Sequence, residues 1–386
     1  TDFAHSNVIT VLTPTGEVAH QQLGLGEDLQ TTLPLAITDD DAPDVVQANN
    51  GRPVMGSFVE ANLLLPLDDY AGEHGWNERF PESVRAVASY SDDGVTFGDG
   101  SLYGLGQQGE LVGVYFNRGK LDELGLEAPE TWEEFVEAVD AATEAGEVAL
   151  PFGNIDQWPG IHTYGAVMNR HVPAEDIRHL GYGTAGADWT SPENVAAAEE
   201  ILGFVEAGYF NEGFNGADYD AVAADFGNGT GVFLIAGTWL LPDLEEALGD
   251  DLGFMLPPPY AGEPQVATGA TSLPFAITAS TEHPDEAALY LDFITNEDAM
   301  SVVAEKGLVP SVDPAGQTAQ SAAQEDVFAA WQSVTAEDGL VPYLDWATPT
   351  FYDTIAAAIQ EYLGQQTDAE QFLQRLQDDY AEFVGE

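Results

Sequence analysis

Cysteine is absent from this chain, which excludes disulfides, thiolate metal sites and cysteine nucleophiles. Lysine is nearly eliminated, since Lys120 and Lys306 are its sole representatives. Nine basic residues stand against sixty-seven acidic ones, giving a formal charge of -58 at pH 7. Nucleic acid is excluded as a partner, because phosphate neutralisation and counterion release need clustered Lys and Arg. Anionic membrane surfaces are disfavoured for the same reason. No run of eighteen apolar residues occurs, so no membrane span is expected. The chain opens on Thr1 without a signal peptide, so a mature or trimmed product is expected.

Catalytic and cofactor signatures are also missing. The seven histidines include no HExxH pair, and His171 and His179 are expected at the surface. No GxSxG or SxxK nucleophile motif occurs. Gly104, Gly106 and Gly109 satisfy GxGxxG, but a strand follows at Leu111 where a pyrophosphate site needs a helix N-terminus. Asp92, Asp93 and Asp99 lack EF-hand spacing and read as a hairpin turn. Asn228-Gly229-Thr230 is a sequon by composition only. No metal and no cofactor is expected.

What is present is an ordinary hydrophobic fraction of 44% over 386 residues, enough for two domains. Strand-like and helix-like runs alternate, which predicts an α/β architecture with largely parallel sheets. Strands are expected at Val8 to Leu12, Pro43 to Gln47, Leu111 to Phe116, Gly231 to Ala236 and Ala267 to Ala279. Helices are expected at Leu23 to Leu33, Met55 to Leu65, Glu130 to Ala145, Ser191 to Ala207, Tyr219 to Asp225, Leu240 to Leu248 and His283 to Thr295. One or two more fill the tail from Thr350 to Phe383. Pro257, Pro258 and Pro259 end a strand. The acidity fits either a salt-adapted extracellular protein or the solubility bias of an acidic proteome. Self-repulsion screened over roughly 3 Å at 1 M salt and roughly 10 Å at 0.1 M separates the two. A melting temperature that rises with salt is expected of the first.

Residues Leu102 to Phe135 carry the most information. Val112, Val114 and Phe116 alternate with Gly113 and Tyr115, as in a strand with one face against a core. Asn117 to Gly125 is a short helix ended by glycine. Thr131 and Glu134 form a capping box ahead of the apolar stripe Trp132, Phe135 and Val139. The run VYFNRGKLDELGLEAPETWEEF resembles a signature of the family 1 extracellular solute-binding proteins, receptors that pass mostly sugars to ABC importers. Four further blocks agree in order: APDVVQANNG, GYFNEGFNGADYDAVAADFGNGTGVFLIAGTWLLPDL, ATGATSLPFAITAS and HPDEAALYLDFITNEDAMSVVAEKGLVPS.

The resemblance implies a two-lobe, Venus-flytrap fold of the periplasmic-binding-protein type, each lobe a sheet flanked by helices. Residues 1–109 and 267–310 would form the first lobe, and 110–266 and 311–386 the second. Hinge crossovers are expected near Gln107 to Glu110, Pro257 to Thr268 and Val309 to Val312. The family's first strand and helix would be missing here, TDFAHS matching only the tail of that helix.

The resemblance also places the ligand. Sugars offer a C–H face to flat aromatics and hydroxyls to amides and carboxylates. Trp239 matches the family's cleft indole, while Trp158 and Tyr164 fall in a loop that matches a second aromatic wall. Trp346 and Asp345 match a weaker pattern. Glu110 matches an acidic hinge residue aimed at ligand hydroxyls. Asn49, Asn50 and Arg52 follow a strand at its carboxyl end, where α/β sheets present ligands. Gly269 and Ala270 match a Gly-rich stretch whose backbone nears the ligand. For each, a structural role is the competing account: core packing for the aromatics, an ion pair for Arg52, a turn for Gly269.

The function implied is capture of a small carbohydrate, an oligosaccharide foremost, between the lobes and its delivery to an ABC permease, without catalysis. The alternative is a secreted glycoside hydrolase with two carboxylates about 5 to 9 Å apart. A monomer is expected, extracellular or periplasmic, and lipid-anchored at the cell surface before processing.

Overall fold

A computed structural model describes residues 7–12, 18–23, 27–39, 42–337 and 339–385. The chain divides into two compact units. The first takes in Thr1–Gly109, Thr271–Val303 and Pro310–Asp313; the second takes in Glu110–Ala270, Ala304–Val309 and Pro314–Glu386. Residues 267–270 therefore group with the second unit, not with the first as the sequence suggested. Their strand, Ala267–Thr271, pairs with Leu340–Val341 of the same unit.

In the first unit a four-stranded sheet runs in the order Phe275–Ile277, Val45–Gln47, Asn7–Leu12, Val18–Leu23. Every neighbouring pair in it is antiparallel. A helix was expected from Leu23 to Leu33; instead Leu23 closes a strand and the helix runs Glu27–Ile37. Met55 to Leu65 is likewise not one helix. A π-helical turn, Arg52–Gly56, leads into the short helix Ser57–Glu60. Asn62 then takes a left-handed backbone at φ 55°, and Leu64 bridges to Thr278. The expected strand Ala267 to Ala279 breaks in two, because Leu273 sits at φ 36° just before Pro274. SDDGVTFGDG forms the tip of a hairpin whose strands are Ser89–Tyr90 and Ser101–Leu102.

The second unit is organised on the strand Gln108–Asn117. Phe233–Gly237 pairs with it antiparallel on one edge and Leu252–Met255 antiparallel on the other. The sequence suggested one buried face; Val112, Val114, Tyr115 and Phe116 are all sealed, so both faces are covered. Two glycines make this packing possible. A Cβ on Gly113 would meet the Phe254 ring at 2.1 Å, and one on Gly253 would meet the Phe116 ring at 2.3 Å. Each aromatic thus lies flat on the neighbouring strand where a side chain is missing.

The sheets are not largely parallel; the pairing of Leu340–Val341 with Ala267–Thr268 is parallel and the other registers given above are antiparallel. Alternating strands and helices imply parallel neighbours only if consecutive strands lie side by side. Here the strand Gln108–Asn117 takes partners from positions more than a hundred residues away, and the first unit's neighbours at its amino end are hairpin strands.

Helix ends follow local chemistry closely. Asn117 accepts from the Lys120 amide and Gly125, at φ 69°, closes the helix Arg118–Leu124. Thr131 and Glu134 cap the helix Trp132–Glu144 reciprocally, an arrangement worth about 1 kcal/mol. Trp132, Phe135 and Val139 are at most 1% exposed. The tail holds two helices, Phe351–Leu363 and Ala369–Val384. No described helix is long and apolar enough to cross a membrane.

Candidate functional site

NIDQWPGIHTYG is not a loop: Trp158 opens a helix that runs to His171. Gln157 takes a left-handed backbone at φ 66°, and Asn154 Oδ1 accepts from the Gly160 amide at 2.7 Å. Pro159 stands in the first turn, where its missing N–H costs nothing. A Cβ on Gly160 would come within 2.8 Å of that same Asn154 oxygen. This tight start fixes where the Trp158 indole emerges.

Helical spacing then sorts the side chains. His162, four residues on, shares the Trp158 face, with ring centroids 5.0 Å apart. Tyr164 points elsewhere. It is fully buried, edge-on to Phe372 at 5.4 Å, and is corrected here from a ligand residue to a core residue.

Trp239 follows the strand Phe233–Gly237 in a single 3-10 turn. A Cβ on Gly237 would strike the indole at 2.1 Å, so glycine lets the ring lie flat on the strand end. Trp239 Nε1 donates to the Tyr219 hydroxyl at 3.1 Å. Thr238 Oγ1 accepts from the Leu111 amide at 3.1 Å, tying this turn to the strand that carries Glu110. Trp158 meets Tyr219 at 4.5 Å and Trp239 at 6.2 Å. His162 links Trp239 at 5.6 Å to Tyr343 at 5.1 Å, and Tyr343 meets Trp346 at 5.0 Å. The result is a continuous set of rings from Tyr219 to Trp346. Tyr219, Tyr343 and Trp346 are buried, whereas Trp158, His162 and Trp239 are half-buried.

Two carboxylates border these rings. Glu110, half-buried, faces the Tyr343 hydroxyl, and burial together with the Glu110 charge raises Tyr343 well above its ordinary range. Asp345 is 8% exposed, and loss of solvent pushes its carboxyl up to about 6. Burial, and then the Asp345 charge, push Tyr352 up to about 12. Burial drives His162 down to about 3, so its imidazole is neutral at ordinary pH. Uncharged at neutral pH, the ring acts as another flat surface with one donor and one acceptor.

The structure thus brings together Trp158, Trp239, Glu110, Asp345 and Trp346. The structure adds His162, Tyr219 and Tyr343 to this ring cluster, which the sequence did not single out; the i, i+4 spacing of Trp158 and His162 would have joined those two had the helix been recognised. Gly269 and Ala270 lie buried within a strand. A Cβ on Gly269 would fall 2.4 Å from the Glu110 carbonyl oxygen, so this glycine permits strand contact beside Glu110.

In the first unit Arg52 is buried and built into the fold. Its guanidinium donates to the Val95 carbonyl at 2.7 Å and lies 5.8 Å from the Phe97 ring centre. Asn50, 2% exposed, donates to the Thr271 carbonyl at 2.8 Å. Asn49 is half-buried, and its carbonyl accepts from the Met55 amide at 3.1 Å. His171 is not at the surface as expected; it is half-buried against the Glu200 carboxylate. No group of three metal-ligating side chains occurs among the described residues.

Residues 22–301 match the family described as bacterial extracellular solute-binding protein, and the chain belongs to that family. A multiple sugar-binding protein of Streptococcus mutans is 24% identical over 211 residues, 52% of this chain and 48% of that protein. The chain thus spans about half the length of that relative. A solved chitin oligosaccharide binding protein aligns with TM-score 0.75 at 21% identity, covering 93% of this chain and 89% of that one. A solute-binding protein RafE in complex with raffinose aligns with TM-score 0.70 at 19% identity, covering 94% and 90%. The fold is of the periplasmic-binding-protein type, mixed α/β.

Proposed function

We propose that the second unit binds a small carbohydrate, an oligosaccharide foremost, on the rings of Trp158, Trp239 and His162. Glu110 and Asp345 accept from its hydroxyls. The observation that carries this reading is the Trp239 indole laid flat over Gly237 beside Trp158. A flat, rigid aromatic surface suits the C–H face of a pyranose, and stacked rings lose little entropy on binding. Charged acceptors add about 1.5 to 3 kcal/mol per hydrogen bond. The printed names of the relatives, multiple sugar, chitin oligosaccharide and raffinose, support the same ligand class.

In this reading the chain acts outside the cytoplasm, as its family does, and hands its ligand to an ABC permease without altering it. A thermal-shift screen over mono-, di- and trisaccharides tests the ligand class. Saturation near 100 times the dissociation constant adds roughly 2.7 kcal/mol of stability. A panel in which no sugar raises the midpoint refutes the reading.

One observation favours the competing hydrolase. Asp345 is held partly protonated near pH 6, as a general acid needs, and Glu110 could serve as its partner. Turnover of a nitrophenyl glycoside separates the two; none is expected.

A further inference from the structure

Where the second unit takes a carboxylate out of water, it supplies a partner. Asp326 meets Arg118 at 2.7 Å and Glu147 meets Lys120 at 3.0 Å. Glu200 accepts from the Trp132 indole at 2.8 Å, and Asp379 accepts from the hydroxyls of Thr348, Thr350 and Thr354. Asp345 breaks this pattern. It is 8% exposed, and among the described residues the hydrogen bond acting on its carboxyl comes from its own backbone.

Nor do the unit's cations compensate. Besides Arg118 and Lys120, Arg170 donates to the Pro257 and Val266 carbonyls, Arg178 to the Leu340 carbonyl and Arg375 to Glu361, while Lys306 is exposed. The ring cluster therefore has two carboxylates at its border and a neutral imidazole inside it. Each aromatic face adds a negative quadrupole, which attracts a cation. An uncompensated buried carboxylate is costly, and a positively charged ligand group would offset that cost.

We infer that the saccharide taken by this site carries a positively charged amine, and that Glu110, Asp345 and the rings of Trp158 and Trp239 select it over its neutral counterpart. The inference rests on the carbohydrate reading above. It disfavours phosphorylated sugars, which would meet like charge.

Calorimetric titration at pH 7 and low salt, with the glucosamine disaccharide, its N-acetylated form and cellobiose, tests it. The free amine is expected to bind about tenfold tighter than either neutral sugar, with the gap narrowing as salt is added. A neutral sugar that binds equally or more tightly overturns the inference and leaves the carbohydrate reading standing. If no saccharide of either kind binds, both fall. Choline binding as tightly as the amino sugar would overturn the sugar part, since it lacks a pyranose ring. Asp345→Asn should reduce the ratio of amine to neutral affinity to about twofold, with melting used to confirm folding. A persistent tenfold ratio in that variant, and in Glu110→Gln, overturns the assignment to these carboxylates.

Discussion

Each unit of the chain gathers aromatic rings around charge, and the two outcomes differ. In the first unit Tyr90 stacks on Phe97 at 4.9 Å and Arg52 lies over Phe97. All three are at most 5% exposed, and the Tyr90 hydroxyl accepts from the Gly51 amide at 3.0 Å. In the second unit Trp158, His162 and Trp239 stay half-open and the neighbouring charges are carboxylates. The same materials hold a hairpin in one place and present a surface in the other. The difference lies in enclosure and sign: a buried Arg with ring and carbonyl partners is part of the fold, whereas the half-buried indoles beside acids keep part of their faces uncovered, as the proposed carbohydrate site requires.

The sharpest way to break this contrast is to remove one ring from the open cluster. Trp239→Ala should weaken saccharide binding by about 100-fold or more, as loss of a central aromatic anchor does. Its effect on melting should be small, because the indole is half-buried. Unchanged affinity by calorimetry would take Trp239 out of the site. Arg52→Ala should do the reverse in the closed cluster. Losing a charged hydrogen bond and a cation–π contact should cost about 2 to 4 kcal/mol by denaturant titration. A variant of undiminished stability that lost ligand binding would move Arg52 from scaffold to ligand residue.

How much of this was legible in the sequence depended on whether a signal was local. Caps such as Thr131 with Glu134, and stops such as Gly125, act within four residues and read directly. Trp239 stood out because AGTW resembles a family motif, and the structure adds the reason for its glycine, which makes room for the indole. Tyr164 was misplaced because its neighbourhood holds proline and glycine, which mark loops, while Pro159 in fact sits harmlessly in a first helical turn. Strand direction was misread for a different reason. The partners of Gln108–Asn117 lie beyond position 230, and no local pattern encodes which distant segment will pair.

Asp345 sharpens the comparison at the level of charge. Its folded carboxyl, raised from 3.8 to about 6, binds a proton more readily than the unfolded one. Stability from this group is therefore fully present below about pH 4 and lost as pH rises through 6. A shift of about two units corresponds to at most about 3 kcal/mol. Asp345→Asn should therefore raise stability at pH 7 to 8 by about 1 to 3 kcal/mol and leave it little changed at pH 4. Equal stability of the two proteins at pH 8 would mean that the carboxylate is already neutralised, and the site would then resemble the closed cluster.

His162 gives the smallest effect, with the opposite sign. Its folded pKa, lowered from 6.5 to about 3 by burial, means that the unfolded chain takes up a proton the native ring refuses. Its contribution is complete above about pH 6.5 and declines as pH falls toward 3. The half-open face admits water, so the effect should stay below about 1 kcal/mol at pH 5. Between pH 6 and 4 the two groups oppose each other, and the wild-type stability profile should look flatter than either alone. Asp345→Asn exposes the His162 slope, and adding His162→Gln should remove it. A slope that survives in the double variant belongs to another group, and His162 would then be open enough to titrate normally.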